Sequence, residues 1–180
     1  MRSLRALVLG GVLAATLSSG TMHAAPPDAE HGRLIATCGN WMVELTFTVQ
    51  PGAAPIVVKG TSTIEPLFNG TFVQETIRGE LNGVPFTTMA WTGFNTATHQ
   101  YEATRISSTN TFRISETGAY DESSGELRLM AEYPLAGDTW HQRTVIKVLS
   151  PDAMRAASYL SFGAVPEWKA VDITYSRAAR

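Results

Sequence analysis

The sequence predicts an all-β protein: a single closed antiparallel meander barrel of about ten strands, preceded by one short helix. Segments of alternating apolar and polar residues recur along the chain, and turn signals such as Asn69-Gly70 and Asn82-Gly83 separate them. No helical pattern of crossover length lies between these segments, so neighbouring strands should run antiparallel. Because closing the sheet removes both exposed edges, we expect a barrel rather than a sandwich. A barrel this wide is not easily filled by its own side chains, which makes an internal cavity plausible.

The first 24 residues have the pattern of a bacterial-type signal peptide. Arg2 and Arg5 precede an apolar run over residues 6–17, which is too short to span a bilayer, and small and polar residues follow. We therefore expect removal of residues 1–24, with the cut after Ala24 or Ala25, and an exported, periplasmic or secreted protein without stable membrane insertion. A membrane-anchoring helix is the alternative. Residues 25–38 then form a leader and a short helix, and residues 39–180 the barrel domain.

Composition places the chain among ordinary globular proteins. Hydrophobic residues make up 44% and charged residues 17% of its 180 residues, enough for one domain with a sizeable core. Loss of Arg2 and Arg5 leaves 12 of 14 basic residues against 16 acidic ones, a net charge of −4. That balance argues against a nucleic-acid partner, which requires a basic face. Cys38 is the single cysteine, so no internal disulfide can form.

The elements follow in order from the helix. Asp28 is suited to cap a helix through Ala36, and Gly39 ends it. The first strand, over residues 41–49, has the clearest alternation, with Trp41 on its apolar face. Further strands are predicted over residues 56–64, 67–68, 71–73, 84–86, 111–114, 126–132, 139–149, 154–162 and 168–176.

A central hairpin spans residues 89–107. Two alternating arms flank a polar connector over residues 95–98, which suits a hairpin turn. Tyr101, Ala103 and Arg105 share one face of the second arm. On the first arm, Trp91 and Phe94 lie on opposite faces.

The turn-linked motifs resemble the bacterial family known as domain of unknown function 1579. The likeness covers nearly all of the chain after the leader, and the order and spacing of its motifs carry it. These motifs are Gly39-Asn40-Trp41, Phe68-Asn69-Gly70-Thr71-Phe72-Val73, Gly83-Val84-Pro85-Phe86, Gly93-Phe94-Asn95 leading to Tyr101, Gly118-Ala119-Tyr120-Asp121, Arg143, and Ile173-Thr174-Tyr175-Ser176-Arg177. The resemblance implies a barrel akin to the lipocalins and fatty-acid-binding proteins and no established activity. Arg105 and Ser107 stand where the family usually has Trp and Asp.

Trp41 and Arg177 resemble the lipocalin closure, in which a late-strand arginine covers a first-strand tryptophan at one barrel end. A guanidinium over an indole face adds cation–π attraction and covers apolar surface. We interpret this pair as structural.

Five side chains are candidates for ligand contact in the lumen: Arg105, Arg143, Tyr101, Trp91 and His141. If the faces that bear Arg105 and Arg143 point inward, each cation needs an acidic side chain or an anionic ligand as its partner. For Arg105, Glu75 on a neighbouring strand is the candidate side chain. Outward, solvated arginines are the alternative reading of both residues.

The leading hypothesis is an exported, non-enzymatic barrel that binds a small, partly apolar ligand, which the arginines would allow to be acidic. A structural or interaction module with a packed lumen is the alternative, and an enzyme of unknown type is the second. No nucleophile–base pair, paired catalytic carboxylates, metal-ligand spacing or phosphate loop emerges, so we predict no catalytic residue, no metal and no cofactor. Oligomeric state has no signature in the sequence.

Overall fold

The computed structural model describes residues 28–179; the signal peptide and leader predictions over residues 1–27 fall outside this range. Helix α1 (Ala29–Ile35) precedes ten strands, and a 3-10 turn (Phe68–Gly70) joins the second to the third. The strands are β1 (Gly39–Phe47), β2 (Ile56–Leu67), β3 (Phe72–Leu81), β4 (Val84–Asn95), β5 (Gln100–Ser107), β6 (Ile114–Asp121), β7 (Glu126–Leu135), β8 (Asp138–Ser150), β9 (Ala153–Phe162) and β10 (Val165–Arg177).

The strands form a closed antiparallel meander. Each strand pairs with the next along the chain, and β1 pairs with β10 to complete the barrel. Trp41 faces Arg177 across that seam, and Phe47 faces Val171 at its other end. The predicted fold class and the short helix are confirmed.

Alternation along β1 sets the inner and outer faces. Trp41, Val43 and Leu45 are buried at 1–3% exposure, whereas Met42 between them is 49% exposed. Removal of such apolar side chains from water, along the barrel wall and in its interior, makes the main favourable contribution to the stability of the fold.

Helix α1 covers one end of the barrel. The Asp28 carboxylate accepts hydrogen bonds from the backbone N–H groups of Glu30 and His31, which begins the helix as predicted. Its buried residues, His31 and Leu34, face the barrel, and the His31 ring packs edge-on against Phe94 at 5.9 Å. We call this the closed end; the β3–β4, β5–β6, β7–β8 and β9–β10 connections lie at the opposite, open end.

The sixth strand differs from the sequence prediction. The sequence predicts a strand over residues 111–114, but the structure places residues 111–113 in the β5–β6 connection, and β6 runs from Ile114 to Asp121. Phe112 lies outside the sheet, and its ring stacks on Tyr133 with centroids 5.7 Å apart. Glu116, Gly118 and Ala119 of β6 are residue types depleted in strands, so the sequence signal for this strand is weak.

Candidate functional site: the barrel lumen

A cavity of about 280 Å³ occupies the open half of the barrel. Aromatic and aliphatic side chains form most of its wall, and Arg105, Ser107, Gln142 and Ser158 add polar groups. A smaller cavity of about 60 Å³ continues toward α1 and shares Arg105, Ser158 and Ile173 with the first. Together they reach the low end of the roughly 300–1,000 Å³ typical of ligand pockets.

Aromatic rings line the rim at the open end. Trp140 stacks on Phe162 at 4.2 Å, and Trp168 meets both rings near 6 Å in edge contacts. The indole of Trp140 donates to the Leu135 carbonyl, and that of Trp168 to the Thr48 carbonyl. These bonds fix both indoles, so the rim presents preformed apolar surface.

Arg105 lies between the two cavities. Its Nη2 is 3.6 Å from Oε2 of Glu116, an ion-pair distance, and its side chain remains 24% exposed, toward the lumen. Within residues 28–179 its Nε is buried without a hydrogen-bond partner. Burial lowers the pKa of this guanidinium, but the charges of Glu116 and then Glu75 outweigh burial, so the pKa rises above its ordinary value. Arg105 is therefore a cation positioned by Glu116, and its N–H donors are available to the lumen.

Glu116 anchors a buried polar cluster on the lumen wall. Its Oε1 accepts hydrogen bonds from the Thr144 hydroxyl and, at 3.1 Å, from the Gln142 amide. The Thr144 and Ser158 hydroxyls lie 3.2 Å apart. Oε2 has no hydrogen-bond partner within the described chain. The sequence did not indicate Glu116 because the predicted strand ended at residue 114. With the observed bounds of β6, alternation places the Glu116 side chain on the inner face of the barrel.

Glu75 is the second carboxylate of the lumen. Its Oε1 accepts from the Ser62 hydroxyl at 2.8 Å and from the Tyr175 hydroxyl at 3.0 Å. Burial, followed by the charge of Glu75, raises the pKa of Tyr175 well above its ordinary value, so the phenol stays a donor. Glu75 lines the smaller cavity with Arg105, but the ion-pair contact of Arg105 is with Glu116 and not with Glu75, the partner that the sequence suggested.

Tyr101 lies inside the barrel but at its closed end. It is 1% exposed, and its hydroxyl donates to the carboxylate and backbone carbonyl of Glu30 in α1. Burial, together with the Glu30 hydrogen bond and charge, raises its pKa. Four residues along an extended strand separate it from Arg105 by about 13 Å, so it does not share the larger cavity. Its contacts indicate that Tyr101 fastens the helix.

Three candidates lie on the outer surface, and their expected lumenal placement is wrong. Arg143 binds Glu167 and covers the Tyr159 ring at 3.9 Å, and His141 pairs with Glu132 at 3.0 Å. Trp91 donates to Gln74 on the outer face of β3 and β4. The cause is strand phase: Gln142 and Thr144 of β8 point inward, so their neighbours point outward.

The closure pair has the expected geometry. The Arg177 guanidinium sits 3.8 Å from the centre of the Trp41 ring and donates to the carbonyls of Cys38 and Pro151. The Trp41 indole donates to the Thr37 carbonyl. Satisfied donors on both side chains make this a structural plug.

Two features are absent from residues 28–179. No group of three or more His, Cys, Asp or Glu side chains could hold a metal ion. No helix in that range has both the length and the apolar character required to cross a bilayer.

Ten meandering strands around a lumen with a cavity of about 280 Å³, and an arginine over a first-strand tryptophan, define a lipocalin-like barrel. The chain belongs to the family described as "Protein of unknown function (DUF1579)", whose model matches residues 26–177. The resemblance noted in the sequence is thereby confirmed.

Solved structures share this fold at low sequence identity. The chain is similar to Rv2717c from M. tuberculosis, with a TM-score of 0.61, 10% identity, and coverage of 84% of this chain and 99% of the other. It is also similar to the S-type phycobiliprotein lyase CPES from Guillardia theta, with a TM-score of 0.56, 9% identity, and coverage of 84% and 93%. Among curated proteins, none matches the chain by sequence.

Proposed function

We propose that this chain is an exported, non-enzymatic barrel that binds a small, partly apolar molecule in its lumen. The molecule enters at the aromatic rim and lies along the apolar wall. Its polar end reaches Arg105, where it accepts hydrogen bonds. Export is supported by Arg2, Arg5 and the apolar run that follows them.

The observation that carries this proposal is the state of Arg105. A buried polar group without a hydrogen-bond partner is costly, and charged groups are the most costly of all. Arg105 meets Glu116 only at 3.6 Å, yet it borders an open cavity of about 280 Å³. An acceptor group on a bound molecule would supply what the surrounding side chains do not.

The size of the cavity favours binding over a module with a packed lumen, because a packed interior has few voids larger than water. An enzyme remains the rival reading, since one protein of the same fold is named a lyase. Fold does not determine chemistry. In the lumen, the Thr144 hydroxyl donates to Glu116 and the Tyr175 hydroxyl donates to Glu75.

The test is native mass spectrometry of the purified protein with chemical identification of any released molecule. Thr88 borders the larger cavity, and Thr87 is its neighbour on the opposite face. We expect the parent and Thr87→Trp to carry a small molecule and Thr88→Trp to lack it, with circular dichroism confirming that all three fold. A parent that carries nothing and binds no added amphiphile would refute the proposal, as would equal occupancy of the two variants.

A further inference from the structure

We infer that the lumen selects an uncharged ligand whose polar end is a hydrogen-bond acceptor, such as a carboxamide or ester carbonyl, and disfavours a carboxylate. This inference rests on the proposed function and names the ligand class of the same site. It departs from the acidic ligand that two inward arginines would have suggested.

The first step is the count of charges that face the lumen around Arg105. Arg143 is outside, so Arg105 is the cation that borders both cavities. Two carboxylates accompany it: Glu116 at 3.6 Å and Glu75 on the wall of the smaller cavity. The formal charge of this cluster is therefore negative before any ligand enters.

The second step concerns what holds the carboxylates in place. Glu116 receives hydrogen bonds from Thr144 and Gln142, and Glu75 from Ser62 and Tyr175. These four donors hold the two carboxylates in position independently of Arg105. An incoming anion cannot displace either carboxylate without leaving buried donors unsatisfied.

The third step compares two ligand end groups. A carboxylate loses its hydration on entering and meets a guanidinium already balanced by Glu116, with a second negative charge close by. A neutral carbonyl accepts from the same guanidinium at a much smaller desolvation cost. The apolar surroundings strengthen both the repulsion between a carboxylate ligand and the lumenal carboxylates and the hydrogen bond from Arg105 to a neutral carbonyl.

The experiment compares octanamide with octanoate, which have the same chain and nearly the same shape but different charge, by isothermal titration at neutral pH. Methyl octanoate is a second neutral acceptor. We expect both neutral probes to bind at least about tenfold more tightly than octanoate, because the free-energy cost of an unpaired buried charge corresponds to at least that factor in affinity. This comparison uses only the parent protein.

Two variants locate the cause. Glu116→Gln removes one lumenal charge, and we expect it to raise octanoate affinity severalfold while octanamide changes less. Glu44→Gln, an exposed change on the outer face of β1, should change neither. If Glu116→Gln does not fold, Glu75→Gln provides the same test.

Each result decides the inference. Octanoate binding as tightly as octanamide, or more tightly, overturns it and leaves lumenal binding intact. An unaltered preference in a folded Glu116→Gln or Glu75→Gln variant also overturns it, because the lumenal carboxylates would not be the cause. No binding by any of the three probes overturns this inference and the proposed function together.

Discussion

At the scale of single residues, the polar groups of the lumen are unequally satisfied. Oε1 of Glu75 and Oε1 of Glu116 each accept two side-chain hydrogen bonds. Oε2 of Glu116 and Nε of Arg105 have no partner within residues 28–179. The partly exposed guanidinium of Arg105 lies where the two cavities meet, and this is why we place the ligand's acceptor group there.

The closure pair allows a direct stability test. Trp41→Ala should lower the free energy of unfolding by roughly 3–5 kcal/mol, because it empties a fully buried aromatic site and removes the surface that Arg177 covers. Denaturant unfolding measures the change.

The matched control is Trp91→Ala. This tryptophan lies on the outer face and is only partly buried, so its loss should cost clearly less. Equal effects of the two substitutions, or an unchanged midpoint for Trp41→Ala, would contradict the assignment of Trp41 to the core.

At the scale of elements, the sequence predicted the inward face of a strand only where the two faces differ in polarity. The phase of β1 could be read from the sequence because its inner face is apolar and its outer face largely polar. On β8 the inward Gln142 and Thr144 are as polar as the outward Arg143, so alternation could not distinguish the faces. Inward polar residues are what the lumen requires, and they are also what conceals it from sequence analysis.

The β6–β7 turn gives a prediction for pH dependence. Hydrogen bonds from Ser123, then Ser124, lower the pKa of Asp121 to about 2. The folded pKa lies below the unfolded value of about 3.9, so this carboxylate stabilises the fold above about pH 4. That contribution is lost as pH falls toward 2.

A ¹³C titration of the side-chain carboxyls measures this pKa directly. Ser123→Ala should raise it toward the ordinary value, whereas Ser115→Ala, an exposed change on β6, should not. An Asp121 carboxyl that titrates near pH 4 in the parent would show that the turn does not hold it as described.

At the scale of the whole molecule, the barrel has one end covered by helix α1 and one open end. Helix α1, the Tyr101–Glu30 hydrogen bond and the Trp41–Arg177 plug close one end, while aromatic rings line the rim of the other.

Export is a prediction for the whole chain. Protein recovered from the cell envelope of a bacterial host should begin near residue 25 or 26, because processing removes the segment that contains Arg2 and Arg5. N-terminal sequencing gives the answer. Material that stays in the cytoplasm with Met1 or Arg2 at its terminus would contradict export.

The central claim is that the lumen is a binding site, and NMR mapping tests it most directly. During titration with octanamide, methyl resonances of Leu45, Leu160 and Ile173, which line the larger cavity, should shift and saturate together. Those of Val57 and Met130, which are exposed on the barrel's outside, should not move. Saturable shifts confined to the lumenal set are the predicted result; shifts confined to the outer set, or none at millimolar probe, would contradict the account.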